Sequence, residues 1–302
     1  MLNYNLLEAL AAVVEQGSFE RAGDSLNLTQ SAVSQRIKLL EARLGQPVLT
    51  RAPVLKPTAL GTRLLHHVTQ VQLLEQDLKS EIPIFGRDQT RLRVTLNADS
   101  LATWWLSAIC DYCREQGILL DLVIEDQDVG LRRMRAGEVA ACLCSSEQAV
   151  QGARCVYLDG IAYRAYARAD YLAQYFPDGL TSGALASAPA VVFGPNDRLH
   201  ERFLEEVGYG GYYPYHLCPS SEGLVKMVLS GLGYGLLPEL QVVDEVRSGR
   251  LVHFATEHVI EVPLYWHYWR QGGNLLEGVT RQLLGAVPFR HESDIPRESA
   301  AG

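Results

Sequence analysis

Residues 18–51 read SFERAGDSLNLTQSAVSQRIKLLEARLGQPVLTR. Caps and apolar spacing in this stretch decide the architecture of the N-terminal region. Ser18 is a good acceptor for the free N–H groups of a helix start, and Glu20 in the first turn suits the helix dipole. A short helix from Phe19 to Leu26 follows. Asn27 tolerates the left-handed backbone that closes a helix. Thr29 then caps a longer helix, Gln30 to about Leu44, and Gly45 stops it. Upstream, Leu7, Leu10, Ala11 and Val14 recur at helical spacing before Gly17. Two short helices joined by Asn27-Leu28-Thr29 have the dimensions of a helix-turn-helix.

The longer helix gives the unit its chemistry. Val33, Ile37, Leu40 and Leu44 form one buried stripe. Ser31, Gln35 and Lys38 fall on the opposite face, flanked by Gln30, Ser34 and Arg36, and no acid precedes Glu41. Arg reads guanine, Gln reads adenine and Ser reaches base or phosphate, so this face suits a major groove. A solvated face on an ordinary helical bundle would share that pattern. The next segment favours the groove. A strand over residues 46–51, then a turn bracketed by Arg51 and Lys56, reads as a basic wing of the kind that grips phosphates. The expected base-facing residues are Gln30, Ser31, Ser34, Gln35 and Arg36, with Lys38 on the same face. Thr29, Arg51, Lys56 and Thr58 are the expected phosphate contacts. A helix from Thr58 to about Ser80 carries Leu60, Leu64, Val68, Val71, Leu74 and Leu78, near coiled-coil periodicity. That seam predicts a partner helix, hence a homodimer on paired half-sites of double-stranded DNA.

The chain has 302 residues, 47% apolar and 21% charged, with a net charge of −8. This composition excludes a disordered or fibrous chain and predicts two or three domains. The charge is uneven: residues 1–66 carry +2, leaving −10 for the remainder. No apolar run approaches a membrane span, and the start reads as no signal peptide. With six Cys and no disulfide framework, a cytoplasmic protein is expected.

The order of these elements and the stretch 18–51 resemble the N-terminal signature of LysR-type transcriptional regulators. NADSLATWWL (97–106), IEDQDVGLRRMRAGEV (124–139) and LYWHYWR (264–270) resemble the ArgP/LysG branch of that family, also described as chromosome-initiation inhibitors. The resemblance covers essentially the whole chain. It implies an α/β protein: an N-terminal winged helix-turn-helix, a long linker helix, then a two-lobed effector domain of periplasmic-binding-protein type. The implied boundaries are 1–58, 59–90 and 91–302, with lobe I at about 91–161 and 262–290 and lobe II at about 162–261. A tetramer built by effector domains, contact with RNA polymerase, and lysine or arginine as small-molecule effector are implied too.

Strands alternating with helices after residue 91 independently predict parallel sheet. Separate strands are expected at 154–158 and 163–167, and a helix from about Ser100. A ligand in such a fold sits at strand ends and helix starts. Asn97-Ala98-Asp99-Ser100 and Pro219-Ser220-Ser221-Glu222 each open a helix and offer N–H groups to an anion; capping alone would also explain them. Glu125, Asp126, Asp128 and Asp197 lie in two acidic loops. Together with Asp99, Ser100, Ser221 and Glu222 they suit a zwitterion with a cationic side chain, as the branch resemblance implies. Cys110, Cys113, Cys142 and Cys144 read as buried apolar filler, so neither metal nor cofactor is expected. HExxH, GxSxG and Walker A patterns are absent from the sequence, which gives no support for an enzyme. A DNA-binding inhibitor of replication initiation and a plain solute-binding protein are the alternative readings.

Overall fold

The computed structural model describes residues 3–50, 55–81, 90–125, 127–270 and 272–286; at 73, 76, 77, 79–81, 127 and 128 it describes the backbone alone. Arg51, Asp126, the Asp128 side chain and the segment after 286, which carry expectations above, lie outside the described residues.

Helices α1 (Tyr4–Gln16), α2 (Phe19–Ser25) and α3 (Gln30–Leu44) precede a wing of β1 (Leu49–Thr50) and β2 (Lys56–Pro57) and a long helix α4 (Ala59–Glu81). The local chemistry acts as the sequence predicts. Ser18 Oγ accepts from Glu20 N at 3.2 Å, and Thr29 Oγ1 accepts from Ala32 N at 3.2 Å. Asn27 has φ 53°, the one left-handed non-glycine among the described residues. Val33, Ile37 and Leu40 pack with Leu7, Leu10 and Val13 of α1. Fully burying each such side chain contributes roughly 1.5–3 kcal/mol.

Two expectations are corrected here. Among the described residues, the strand predicted over 46–51 covers only Leu49 and Thr50. Pro47 has no N–H to give, and Val48 N donates instead to Glu41 Oε1 at 3.0 Å. The α4 stripe is not one seam. Leu64, Leu65 and Val68 are buried in the same core as α1, while Leu74 and Leu78 stand 48% and 57% exposed. Helix α1 lies across the first turns of α4, and Tyr4 Oη meets His67 Nε2 at 3.1 Å.

The remainder forms two α/β lobes on one nine-stranded sheet. The first lobe holds β3 (Thr90–Leu96), α5 (Ala98–Thr103), α6 (Trp105–Gln116), β4 (Ile118–Ile124), α7 (Gln127–Arg135), β5 (Ala141–Cys144) and α13 (Gly273–Ala286). Strand β6 (Ala153–Ala167) then crosses to the second lobe. There lie α8 (Ala169–Tyr175), α9 (Ser182–Ser187), β7 (Ala190–Val192), α10 (Leu199–Glu206), β8 (Tyr215–Leu217) and α11 (Ser221–Leu229). They are followed by β9 (Tyr234–Pro238), a 3₁₀ turn (Glu239–Gln241), α12 (Val243–Arg247) and β10 (Val252–His253). Strand β11 (Ile260–Trp269) returns antiparallel to β6, from Ile260 opposite Tyr163 to Trp269 opposite Ala153. The order is β4-β3-β5-β11-β6-β9-β7-β8, with β10 on β6.

The two strands expected at 154–158 and 163–167 are thus one. Asp159-Gly160 looks like a turn in sequence, yet both residues stay in the strand opposite Leu264 and Pro263, and the register shift falls beside them at Leu158. The helix expected from Ser100 begins at Ala98 and breaks at Trp104 into α5 and α6. Trp105, Trp266 and Trp269 are among the largest fully buried side chains, and Trp266 Nε1 donates to Thr280 Oγ1 at 2.9 Å. Cys113, Cys142 and Cys144 are buried as expected, but Cys110 is exposed. Among the described residues no helix is long and apolar enough to cross a membrane.

Candidate DNA-binding face and inter-lobe cleft

Ser31, Gln35 and Lys38 are exposed on α3, with Gln30 at its start and Ser34 half-buried. An open groove of about 630 Å³ is lined by Ser18 and Phe19 at the start of α2, by Gln30, Ser31 and Ser34 of α3, and by Leu55. Thr29 bonds Ser31 Oγ at 2.9 Å while capping the helix, and Lys56 is exposed on the wing. Two expected contacts are otherwise engaged. Arg36 Nη1 donates to Asn5 O at 3.4 Å, leaning toward α1. Thr58 Oγ1 donates to Pro47 O at 2.9 Å and accepts from Gly61 N at 3.1 Å, so its hydroxyl joins α4 to the wing.

In the second region, three elements from both lobes meet at Asp99. This residue lies in the first turn of α5, just past β3. Its Oδ1 accepts from Ser221 Oγ of α11 at 2.5 Å, and its Oδ2 accepts from Tyr163 Oη of β6 at 2.5 Å. Ser221 Oγ also lies 3.1 Å from Gln241 Oε1, and its single proton serves one acceptor at a time. Ser220 takes the capping role on α11, accepting from Gly223 N at 3.1 Å. Ser100 Oγ and Asn97 Oδ1 are buried without a hydrogen-bond partner.

Asp197 Oδ1 accepts from Leu199 N at 2.9 Å and Oδ2 from Phe193 N at 3.3 Å. Burial pushes its carboxyl pKa up, those two N–H groups pull it down, and the Asp99 charge pushes it up again. Burial and the same Asp99 carboxylate raise the Tyr163 phenol well above its ordinary value. Neither Asp99 nor Asp197 is paired with a cation among the described residues.

The other expected acids are placed differently. Glu125 Oε1 accepts from Arg133 Nε at 2.8 Å and from Nη2 at 2.5 Å, and Arg133 Nη1 also bonds Glu138 at 2.8 Å. Its charge is therefore already met within the lobe. Glu222 is exposed on the first turn of α11. Tyr163 and Gln241 belong to the cluster and escaped the sequence reading: one lies mid-strand and the other in a short turn, without motif or cap to mark it. Among the described residues, no group of three or more His, Cys, Asp or Glu could hold a metal ion.

A winged helix-turn-helix joined by a long helix to a two-lobed cleft defines a DNA-binding regulator with a ligand-sensing domain. Residues 4–62 match the bacterial regulatory helix-turn-helix protein, lysR family, and residues 86–284 match the LysR substrate binding domain. The chain belongs to the LysR family of bacterial transcriptional regulators, which is not a family of enzymes. It is 57% identical over 286 residues to the HTH-type transcriptional regulator ArgP of Pseudomonas aeruginosa, covering 94% of this chain and 95% of that one. Its fold resembles the crystal structure of ArgP from Mycobacterium tuberculosis, with TM-score 0.84 and 33% identity over 96% of this chain and 98% of that one. It also resembles full-length LysG from Corynebacterium glutamicum with bound effector Arg, with TM-score 0.75 and 30% identity over 95% of this chain and 98% of that one.

Proposed function

We propose that this regulator senses a basic amino acid, lysine or arginine, held between the lobes at Asp99. The observation that carries this reading is the pair of carboxylates, Asp99 and Asp197, left without a cation beside buried Ser100 Oγ and Asn97 Oδ1, which lack partners. An ammonium or guanidinium supplies the missing charge. The start of α11, at Ser221 and Glu222, together with Ser100, suits the ligand carboxylate. The effector named for the LysG structure is of the same class. Glu125 is assigned to its ion pair with Arg133 instead.

On DNA, Gln30, Ser31, Ser34, Gln35 and Lys38 face bases, while Thr29 and Lys56 hold phosphates. Two chains pair through the exposed distal half of α4, and the protein works in the cytoplasm. Calorimetry with arginine, lysine and norleucine tests the cleft. A site that meets a terminal cation rejects norleucine by at least about tenfold, because a buried acid would be left unpaired. Equal affinity for norleucine, or no heat with either basic amino acid, overturns the reading.

A further inference from the structure

Helix α4 also lies against the first lobe. The His66 ring rests on Trp269 with centroids 4.1 Å apart and planes tilted by 35°. Its Nε2 is buried without a hydrogen-bond partner, so packing rather than a polar bond seats that edge of the ring. Three residues further on, Thr69 Oγ1 lies 3.0 Å from Gly137 O and 3.1 Å from Leu65 O of its own helix, and its single proton serves one of them at a time. Gly137 has φ +73°, and a Cβ there would come 2.5 Å from His66 Cα and 2.7 Å from His66 N. Helix backbone and lobe therefore touch with no room for a side chain between them.

Both lobe-side partners end elements that run to the cleft. Gly137 lies just past α7, which starts beyond β4 at the cleft rim. Arg133 binds Glu125 before that helix and Glu138 after it, tying its two ends together. Helix α7 also lies flush on the sheet: a Cβ at Gly130 would come 2.7 Å from Cys142 Sγ and 2.9 Å from Thr95 Oγ1. Thr95 belongs to β3, the strand that delivers Asp99. Trp269 ends β11, one of the two strands shared between the lobes, and its Nε1 donates to Val139 O at 3.3 Å. A rigid rod from the cleft rim and a strand from the opposite lobe thus converge on one turn of the linker helix.

We propose that the joint of His66 and Thr69 with Gly137 and Trp269 couples the cleft to the DNA-binding arm. A change in the cleft displaces α7 or β11, and the close contact at Gly137 passes that displacement to α4. The proposal rests on the reading of the cleft as the effector site. Coupling of this kind is reciprocal: each ligand changes the affinity of the other by one common factor, typically about 5–150-fold.

The test uses full-length protein, arginine and lysine, and a duplex selected by the wild-type protein from a random library. Duplex affinity is measured with and without amino acid, and amino-acid affinity with and without duplex. In His66→Ala and Thr69→Val, which remove contacts without adding bulk, each ligand alone should bind within about threefold of wild type, while the coupling factor falls toward one. Gly137→Ala should do the same by forcing the surfaces apart. A coupling factor of one in wild type, or an unchanged factor in His66→Ala and Thr69→Val, overturns the proposal. Calorimetry on wild type separates the two readings, since failure to bind either amino acid counts against the effector assignment. Hydrogen exchange then still decides the joint. Duplex binding should alter protection over residues 129–140 in wild type and not in His66→Ala; no alteration in wild type, or the same one in both, overturns it.

Discussion

Ser221 and Asp99, 122 residues apart in the chain, are joined by a hydrogen bond of 2.5 Å that links the two lobes. Asp99 is the carboxylate on which the proposed recognition of a cation turns. Asp99→Asn keeps the shape and removes the charge. Arginine affinity should fall by about 1.5–3 kcal/mol, the range for a hydrogen bond to a charged group. Ser221→Ala, which removes one neutral donor, should cost about 1 kcal/mol. Calorimetry reads both, with thermal unfolding confirming that the variants fold. Unchanged affinity in Asp99→Asn removes this carboxylate from the site.

On the proposed DNA face, readers and grips should separate by experiment. Gln35→Ala should cost about 1–3 kcal/mol on a selected duplex and relax its sequence preference. Lys56→Ala should weaken all sequences alike and reduce the salt slope by about one. Arg36→Ala should alter preference less than Gln35→Ala, because its guanidinium leans toward Asn5 O. Anisotropy titrations across a salt series measure all three. A sequence-specific loss in Lys56→Ala would exchange the roles.

Along α4 the outcome should change with position. Leu74→Asp with Leu78→Asp places charge on exposed residues and should yield a folded monomer by light scattering. Leu64→Asp places an unpaired charge inside the DNA-binding core and should destabilise that domain itself, costing several kcal/mol. An unchanged dimer in the double variant removes the distal half of α4 from the interface.

His200 predicts an acid-labile second lobe. The residue is buried, neither ring nitrogen has a hydrogen-bond partner, and burial lowers its pKa to about 3. The unfolded chain binds a proton near its ordinary value of about 6.5. Below that pH the unfolded state holds more protons, so stability falls with pH until the folded residue titrates near 3, by up to about 1.4 kcal/mol per pH unit. His200→Leu should flatten this part of the stability curve, measured by urea unfolding from pH 7.5 to 4.5. An identical slope in the variant would assign the acid sensitivity elsewhere.

What the sequence conveyed follows the range of the forces involved. Ser18, Asn27 and Thr29 announce helix ends because a cap acts on atoms two or three residues away. Asp99 and Ser221 were visible for the same reason, each at a helix start. Tyr163, 64 residues from the aspartate it serves, sits within an alternating strand whose pattern reports burial and says nothing of partner. Glu125 shows the reverse failure. Its loop position was legible, but the guanidinium that neutralises it arrives only when α7 folds back onto β5 and β3. In α4 the period marked Leu64 and Val68, which the DNA-binding core buries, and could not say that Leu74 and Leu78 on the same stripe stand exposed.

That division decides how the protein can be taken apart. A fusion junction placed at residue 58, where the wing ends, would leave Leu64, Leu65 and Val68 behind and open a hole under α1. The portable DNA-binding cassette runs at least to Val68, so any chimera that exchanges sensing domains carries the first half of α4 with it. His66 and Thr69, on the same turns, also seat against the first lobe and so belong to both modules at once. A transplanted sensor must therefore bring its own glycine-backed seat for that helix, or the hybrid will bind DNA and ligand as strangers.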